Sequence, residues 1–209
     1  MASVYRELLK QYPAKSIGIY GCSAGGILTS EAIAWFRKHD LPMPGAVGIF
    51  GAGALISSSA DSNYFGTILE GLTPLPQDIK ASMPYFDQPR LSMHHPLVSS
   101  VFSPDVLAHF PPTLLLTGTR DLSLSQAAFT HEQLVKAGVE SDLHVSEGAV
   151  HCSYAIGVVD ANVPETREAW DVIVKIFARH LGTNSAQFRP LPSRQTSRGI
   201  NEVGPHWSP

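Results

Sequence analysis

Gly21-Cys22-Ser23-Ala24-Gly25 sets a serine inside a G-x-S-x-G pattern, after the short β-prone run Ser16 to Tyr20 and before a helical pattern through Ile27, Leu28, Ala32, Ile33, Trp35 and Phe36. That context puts Ser23 on a sharp strand-to-helix turn, where a strained backbone lifts the hydroxyl clear of the sheet. The flanking glycines are expected because side chains there would collide with neighbouring backbone. The helix N-terminus behind the turn favours developing negative charge, and the backbone amide of Ala24 is one candidate oxyanion donor. The same pattern in another protein can be a glycine-rich turn that merely packs tightly. A serine hydroxyl attacks poorly until an oriented base takes its proton. The candidate base is His151, in Glu147-Gly148-Ala149-Val150-His151, and the candidate acid is Asp121, in Gly118-Thr119-Arg120-Asp121. Each follows a predicted strand directly and so falls at the carboxyl edge of the sheet beside Ser23. Glu147 is the alternative acid, and Asp121 could instead be a turn former or helix cap. Of the nine histidines, the other eight fit worse: His39, His131 and His180 fall on helices or their ends, His144 within a strand, His206 in the tail, and His94, His95 and His109 in or near an insertion.

The elements that must position these groups follow from apolar spacing. Val4, Tyr5, Leu8 and Leu9 predict a helix over Ser3 to Gln11, stopped by Pro13. Ser16 to Tyr20, the helix after Ser23, and the buried run Ala46 to Phe50 make a right-handed βαβ unit with parallel strands. From Ala52 to about Pro112 the chain is rich in Ser, Pro and Gly, too long for a bare loop. It is expected to be an insertion, with one helix near Gln77 to Met83 and an apolar face made by Tyr64, Phe65, Met83, Tyr85, Phe86, Met93 and Phe102. Strand Thr113 to Thr119, helix Ser123 to Ala137, strand Asp142 to Glu147 and amphipathic helix Pro164 to Leu181 follow. The whole is an α/β fold with a mostly parallel sheet and flanking helices: one domain over residues 1–183, an insertion over about 52–112, and a Pro-rich tail over 184–209.

Composition sets bounds. The chain has 209 residues, 44% hydrophobic and 16% charged, with a net charge of −3; this is enough apolar material for a core, and it argues against a basic nucleic-acid surface. The longest nearly apolar run, Gly45 to Ile56, is shorter than the roughly 18 residues a membrane span needs. No N-terminal signal segment is evident, and the two cysteines are too few for a disulfide framework or a Cys-rich zinc site. A cytoplasmic protein is expected.

The turn Gly21-Cys22-Ser23-Ala24-Gly25-Gly26, the run Pro112 to Asp121, and Glu147-Gly148 followed by His151 resemble the α/β-hydrolase fold and, more narrowly, the hormone-sensitive-lipase-like group of bacterial esterases. The resemblance covers roughly Tyr5 to Leu181. It implies Ser23 as nucleophile, His151 as general base and acid, Asp121 as the residue orienting the imidazole, and the insertion as a cap over the acyl pocket. It further implies a serine esterase acting on small carboxylic esters through an acyl-enzyme, with no metal or organic cofactor. Low charge and an apolar insertion favour small apolar esters. The rivals are a weak or inactive relative acting as a binding protein, and a thioesterase, lactonase, amidase or peptidase using the same three residues.

Two departures stand out. Cys22 occupies the place of the family's usual acidic residue and is expected to be a small buried thiol; a redox link to Cys152, which follows the histidine, has no independent support at this level. The family's upstream His-Gly-Gly-Gly oxyanion motif is not in the sequence, nor are the strands that carry it. The run Ser16 to Tyr20 is therefore expected to lie at a sheet edge although its composition suits an interior strand. Open apolar edges invite pairing, so a homo-oligomer partner, the insertion or the tail is expected to cover it.

Overall fold

The computed structural model describes residues 1–56, 60–71, 92–153 and 164–182. Four parallel strands form one sheet in the order β1 (Gly18–Cys22), β2 (Ala46–Phe50), β3 (Thr113–Gly118) and β4 (Ser141–Ser146). Every residue of β2 and β3 is buried. This is why Ala46 to Phe50 and Thr113 to Gly118 read as near-continuous apolar runs: interior parallel strands are covered on both faces.

Successive side chains leave a strand on opposite faces, and the two faces build two cores. Val47, Ile49 and Leu115 point into one, with Tyr5 of α1 (Ala2–Leu9) and Ile33 and Phe36 of α2 (Ala24–Lys38). Ala46, Phe50, Leu114 and Leu116 point into the other, against Ala169, Ile173 and Phe177 of the C-terminal helix (Pro164–Leu181). Tyr5 stacks on Phe36 with ring centroids 4.4 Å apart and donates its hydroxyl to the Pro42 carbonyl at 2.8 Å. Val4, expected on the same inner face, is exposed instead. The helix of residues Leu124–Lys136, which follows the candidate acid, ends as its sequence predicts, at Gly138 with a left-handed φ of 78°.

The structure departs from expectation at both ends of β1 and in the insertion, and β4 starts and ends one residue earlier than predicted. β1 begins two residues later than predicted, because Ala14–Ser16 close a 3-10 turn behind Pro13. The strand also runs on to Cys22, since Gly21 and Cys22 pair in register with Ile49 and Phe50. The insertion carries a helix that apolar periodicity does not reveal, α3 (Asp61–Leu69), whose buried residues are Ser62, Asn63, Gly66 and Thr67. Of the aromatics assigned to the insertion's inner face, Tyr64, Phe65 and Phe102 stay outside the core and exposed, Phe102 lying against His94 and Phe129 instead, while Ala54, Leu55, Val101, Leu107 and Phe110 join the core. The predicted helix at 77–83, with Met83, Tyr85 and Phe86, and the tail lie outside the described residues. β1 is an edge strand, as expected, and no other strand among the described residues pairs with its outer side.

Candidate active site

The carboxyl ends of β1, β3 and β4 carry Ser23, Asp121 and His151 to one edge of the sheet, where open α/β sheets place their sites. Ser23 sits between β1 and α2 with φ 57° and ψ −124°. A non-glycine residue at positive φ stores strain that the surroundings must hold in place. Here the Ser23 amide donates to the Phe50 carbonyl at 2.9 Å, pinning the turn to β2. Gly21 is required: a Cβ there would run into the Gly25 backbone. The symmetric expectation for Gly25 is not met, because a Cβ on Gly25 would meet nothing within 4 Å. The second constrained position is Gly26, where a Cβ would come within 2.8 Å of Ala52 Cβ.

The loop after β4 must travel back across the sheet to reach Ser23. Strands lie about 4.8 Å apart, so crossing three inter-strand gaps means a span of about 14 Å. Two strand-end glycines leave room for it. A Cβ at Gly118 would strike the Ala149 carbonyl, and one at Gly51 would come within 2.8 Å of Cys152 Sγ and 3.2 Å of the His151 ring. Gly51 also adopts a φ of 52°, which favours glycine. The crossing ends in a disulfide between Cys152 and Cys22. This corrects the expectation of a free buried thiol at Cys22. Adjacency to Ser23 and to His151 brings the two sulfurs together once the nucleophile and base meet.

The three predicted side chains form a line. His151 Nε2 lies 2.9 Å from Ser23 Oγ, and His151 Nδ1 lies 2.8 Å from Asp121 Oδ1. Asp121 is fully buried and His151 is 22% exposed at its side chain. The carboxylate of Asp121 accepts further hydrogen bonds from the Ser123 amide at 2.8 Å and the Thr117 hydroxyl at 3.1 Å. Buried carboxylates need such donors. Burial, the largest single influence, pushes the His151 pKa down; the hydrogen bond and charge of Asp121, with the charge of Glu70, outweigh it and leave the imidazole above its ordinary value of 6.5. Such a chain lets an imidazole take the serine proton while the carboxylate holds the ring and stabilises its cationic form.

Glu147, the alternative acid, is exposed, and the imidazole's carboxylate partner is Asp121. Of the other described histidines, His39 stacks on Trp35, His94 lies tilted against Phe102, His95 Nδ1 accepts from the Leu97 amide, His131 bonds Ser141, His109 bonds the Asp105 carbonyl, His180 approaches Glu140, and His144 lies within β4. Sequence reading missed Thr117, Ser123, Gly51 and Glu70, whose Oε1 accepts the His151 backbone N–H at 2.9 Å. The only signal for Glu70 was its spacing of four from Gly66 and eight from Ser62, a polar stripe that a search for apolar faces passes over.

A family model described as alpha/beta hydrolase fold matches residues 1–155. Among solved structures, the chain is similar to the esterase E25, with 34% identity, a TM-score of 0.74, and coverage of 86% of this chain and 53% of that one. It is also similar to EstE5, a structure soaked with p-nitrophenyl butyrate, with 23% identity, a TM-score of 0.72, and coverage of 86% and 58%. A third is an esterase from the bacterial hormone-sensitive lipase family, with 22% identity, a TM-score of 0.74, and coverage of 87% and 59%. The chain therefore spans a little over half the length of these structures. No curated protein sequence matches it.

Proposed function

The chain belongs to the alpha/beta hydrolase fold family, and on that premise we propose that it is a serine esterase that cleaves small carboxylic esters with Ser23, His151 and Asp121. The observation that carries the reading is the unbroken hydrogen-bond line from Ser23 Oγ through the imidazole to a buried carboxylate. In the proposed cycle His151 Nε2 removes the Ser23 proton as the oxygen attacks the ester carbonyl. The oxyanion faces the amide of Ala24, at the head of α2, where a helix's first N–H groups have no partner within it. The imidazolium then protonates the leaving alcohol, and water releases the acid by the same route. Each step moves one proton between the imidazole and an oxygen, so none draws on a metal or organic cofactor. Similarity to named esterases supports the ester as substrate class.

The test is Ser23→Ala with a panel of p-nitrophenyl esters and a fluorophosphonate probe. Ester turnover should fall by at least about 10³-fold, labelling should vanish, and thermal unfolding should stay cooperative. Undiminished hydrolysis by this variant would end the reading. The same panel separates thioesters, lactones, amides and peptides from simple esters.

A second reading, a catalytically weak relative that binds rather than turns over, draws on the oxyanion side. The Ala24 amide at the head of α2 is the one oxyanion donor assigned among the described residues, and a site short of one donor typically loses about 10²–10³ in turnover. Failure of the wild-type chain to label at Ser23 would favour it.

We further infer a homodimer that covers the outer edge of β1, supported by that edge's lack of a strand neighbour among the described residues. A sedimentation mass of one chain would overturn it. No helix among the described residues is long and apolar enough to cross a membrane. For compartment we keep the cytoplasm; the Cys22–Cys152 bridge is the observation that weighs against it, since disulfides persist mainly in oxidising compartments.

A further inference from the structure

We propose that Glu70 is a positioning residue for the reaction: from the end of α3 its carboxylate holds the backbone of His151 and keeps the imidazole between Ser23 and Asp121. The inference rests on the triad reading above and extends it to the insertion.

Ser62, Gly66 and Glu70 recur at intervals of four, so they share one stripe of the helix. Each touches a loop that carries a triad member. Ser62 Oγ donates to the Leu122 carbonyl at 2.8 Å and accepts from the Ser125 amide at 2.9 Å, while the Ser62 amide donates to Ser125 Oγ at 3.2 Å. Gly66 lies flat against the acid's own loop; a Cβ there would be 2.8 Å from Leu122 Cα and 3.1 Å from the Asp121 carbonyl carbon. Glu70 then reaches the base, accepting the His151 N–H at 2.9 Å. The helix thus braces the acid loop with its first two turns and the base loop with the residue that caps its C-terminus.

Electrostatics sharpens the case. Glu70 is the C-terminal cap of α3, the end of a helix where a carboxylate is disfavoured by the macrodipole. Its placement there is compensated by the His151 amide and, whenever the ring is protonated, by the imidazolium. The groups that face the ring among the described residues are Asp121 at 2.8 Å, Ser23 at 2.9 Å, the Ser123 hydroxyl at 3.5 Å and the charge of Glu70; the neighbouring Cys22–Cys152 pair is disulfide-bonded and does not titrate. Glu70 and Asp121 both favour the cationic ring.

Two variants separate the two contributions. Glu70→Gln keeps an acceptor oxygen and removes the charge; Glu70→Ala removes both. The readouts are kcat, KM and the pH profile of kcat/KM on a p-nitrophenyl ester, with fluorophosphonate labelling of wild-type Ser23 as control. Both variants should move the acid limb to lower pH, because less negative charge leaves the ring easier to deprotonate. Glu70→Ala should lower plateau kcat by about tenfold with KM little changed, as expected when a reacting group is held loosely. Glu70→Gln should lower it less. A labelled wild type whose two variants keep the wild-type acid limb would overturn the inference and spare the triad. So would an alanine variant with undiminished plateau kcat. An unlabelled wild type would overturn both. If Glu70→Ala unfolds, the limb of Glu70→Gln alone decides.

Discussion

At the scale of single residues, His151 is pulled in two directions. Burial disfavours its charge, while Asp121 and Glu70 favour it and prevail, so the imidazole titrates above 6.5. The ring can accept the Ser23 proton only when neutral. Its raised pKa therefore places the acid limb of kcat/KM above pH 6.5, with activity rising as pH climbs through the limb. Asp121→Asn removes the charge that does most to hold the proton on the ring. We expect its acid limb to shift down and its plateau kcat to fall by about 10⁴, since the ring loses both its orientation and its preferred tautomer. A profile of p-nitrophenyl ester hydrolysis from pH 5 to 9 checks both effects, and an unmoved limb would contradict the assigned role of Asp121. Ser23, Asp121 and His151 were legible from the sequence because each follows a strand directly and chain order alone brings them to one edge. Thr117 and Ser123 were not, because a hydroxyl or an amide aimed at a buried carboxylate leaves no spacing rule behind.

At the scale of elements, the turn between β1 and α2 is built from backbone in contact with backbone. Gly21 is irreplaceable on this account, whereas Gly25 has open space around its missing Cβ. We expect Gly21→Ala to destabilise the protein by about 3 kcal/mol or more, as overpacking against unyielding atoms does. Gly25→Ala, in the first turn of a helix, should change stability by less than about 1 kcal/mol. Urea unfolding of the two variants distinguishes them, and equal losses would refute this account of the turn. The same contrast explains what periodicity could deliver. The helix Pro164–Leu181 was predicted to its last residue, because Ala169, Ile173 and Phe177 mark a face that only a core would fill. α3 was invisible because it buries Ser62, Asn63, Gly66 and Thr67 and leaves Tyr64, Phe65, Ile68 and Leu69 exposed. Its docking is by hydrogen bonds and close backbone approach, for which no apolar pattern exists.

At the scale of the whole molecule, the alternation of strand and helix and the order Ser, Asp, His made the parallel sheet and its functional edge readable. The bridge between Cys22 and Cys152 was not readable, since it depends on a loop crossing the ends of the middle strands. It closes a sequence separation of 130 residues. Cross-links over such long loops restrict the unfolded chain and typically contribute about 2–4 kcal/mol. For a chain of this size a dithiol reductant should lower Tm by on the order of 10 °C. A reduced sample, its free thiols counted, that melts at the oxidised temperature would contradict this. The bridge also rewires the chain's connectivity. Along the backbone the attacking serine and its base are separated by the insertion and three strands, but through sulfur they are four residues in a row: Ser23, Cys22, Cys152, His151. A single protease cut anywhere between Ser23 and His151 would thus leave one covalent molecule, with attacker and base still leashed to each other by a few bonds.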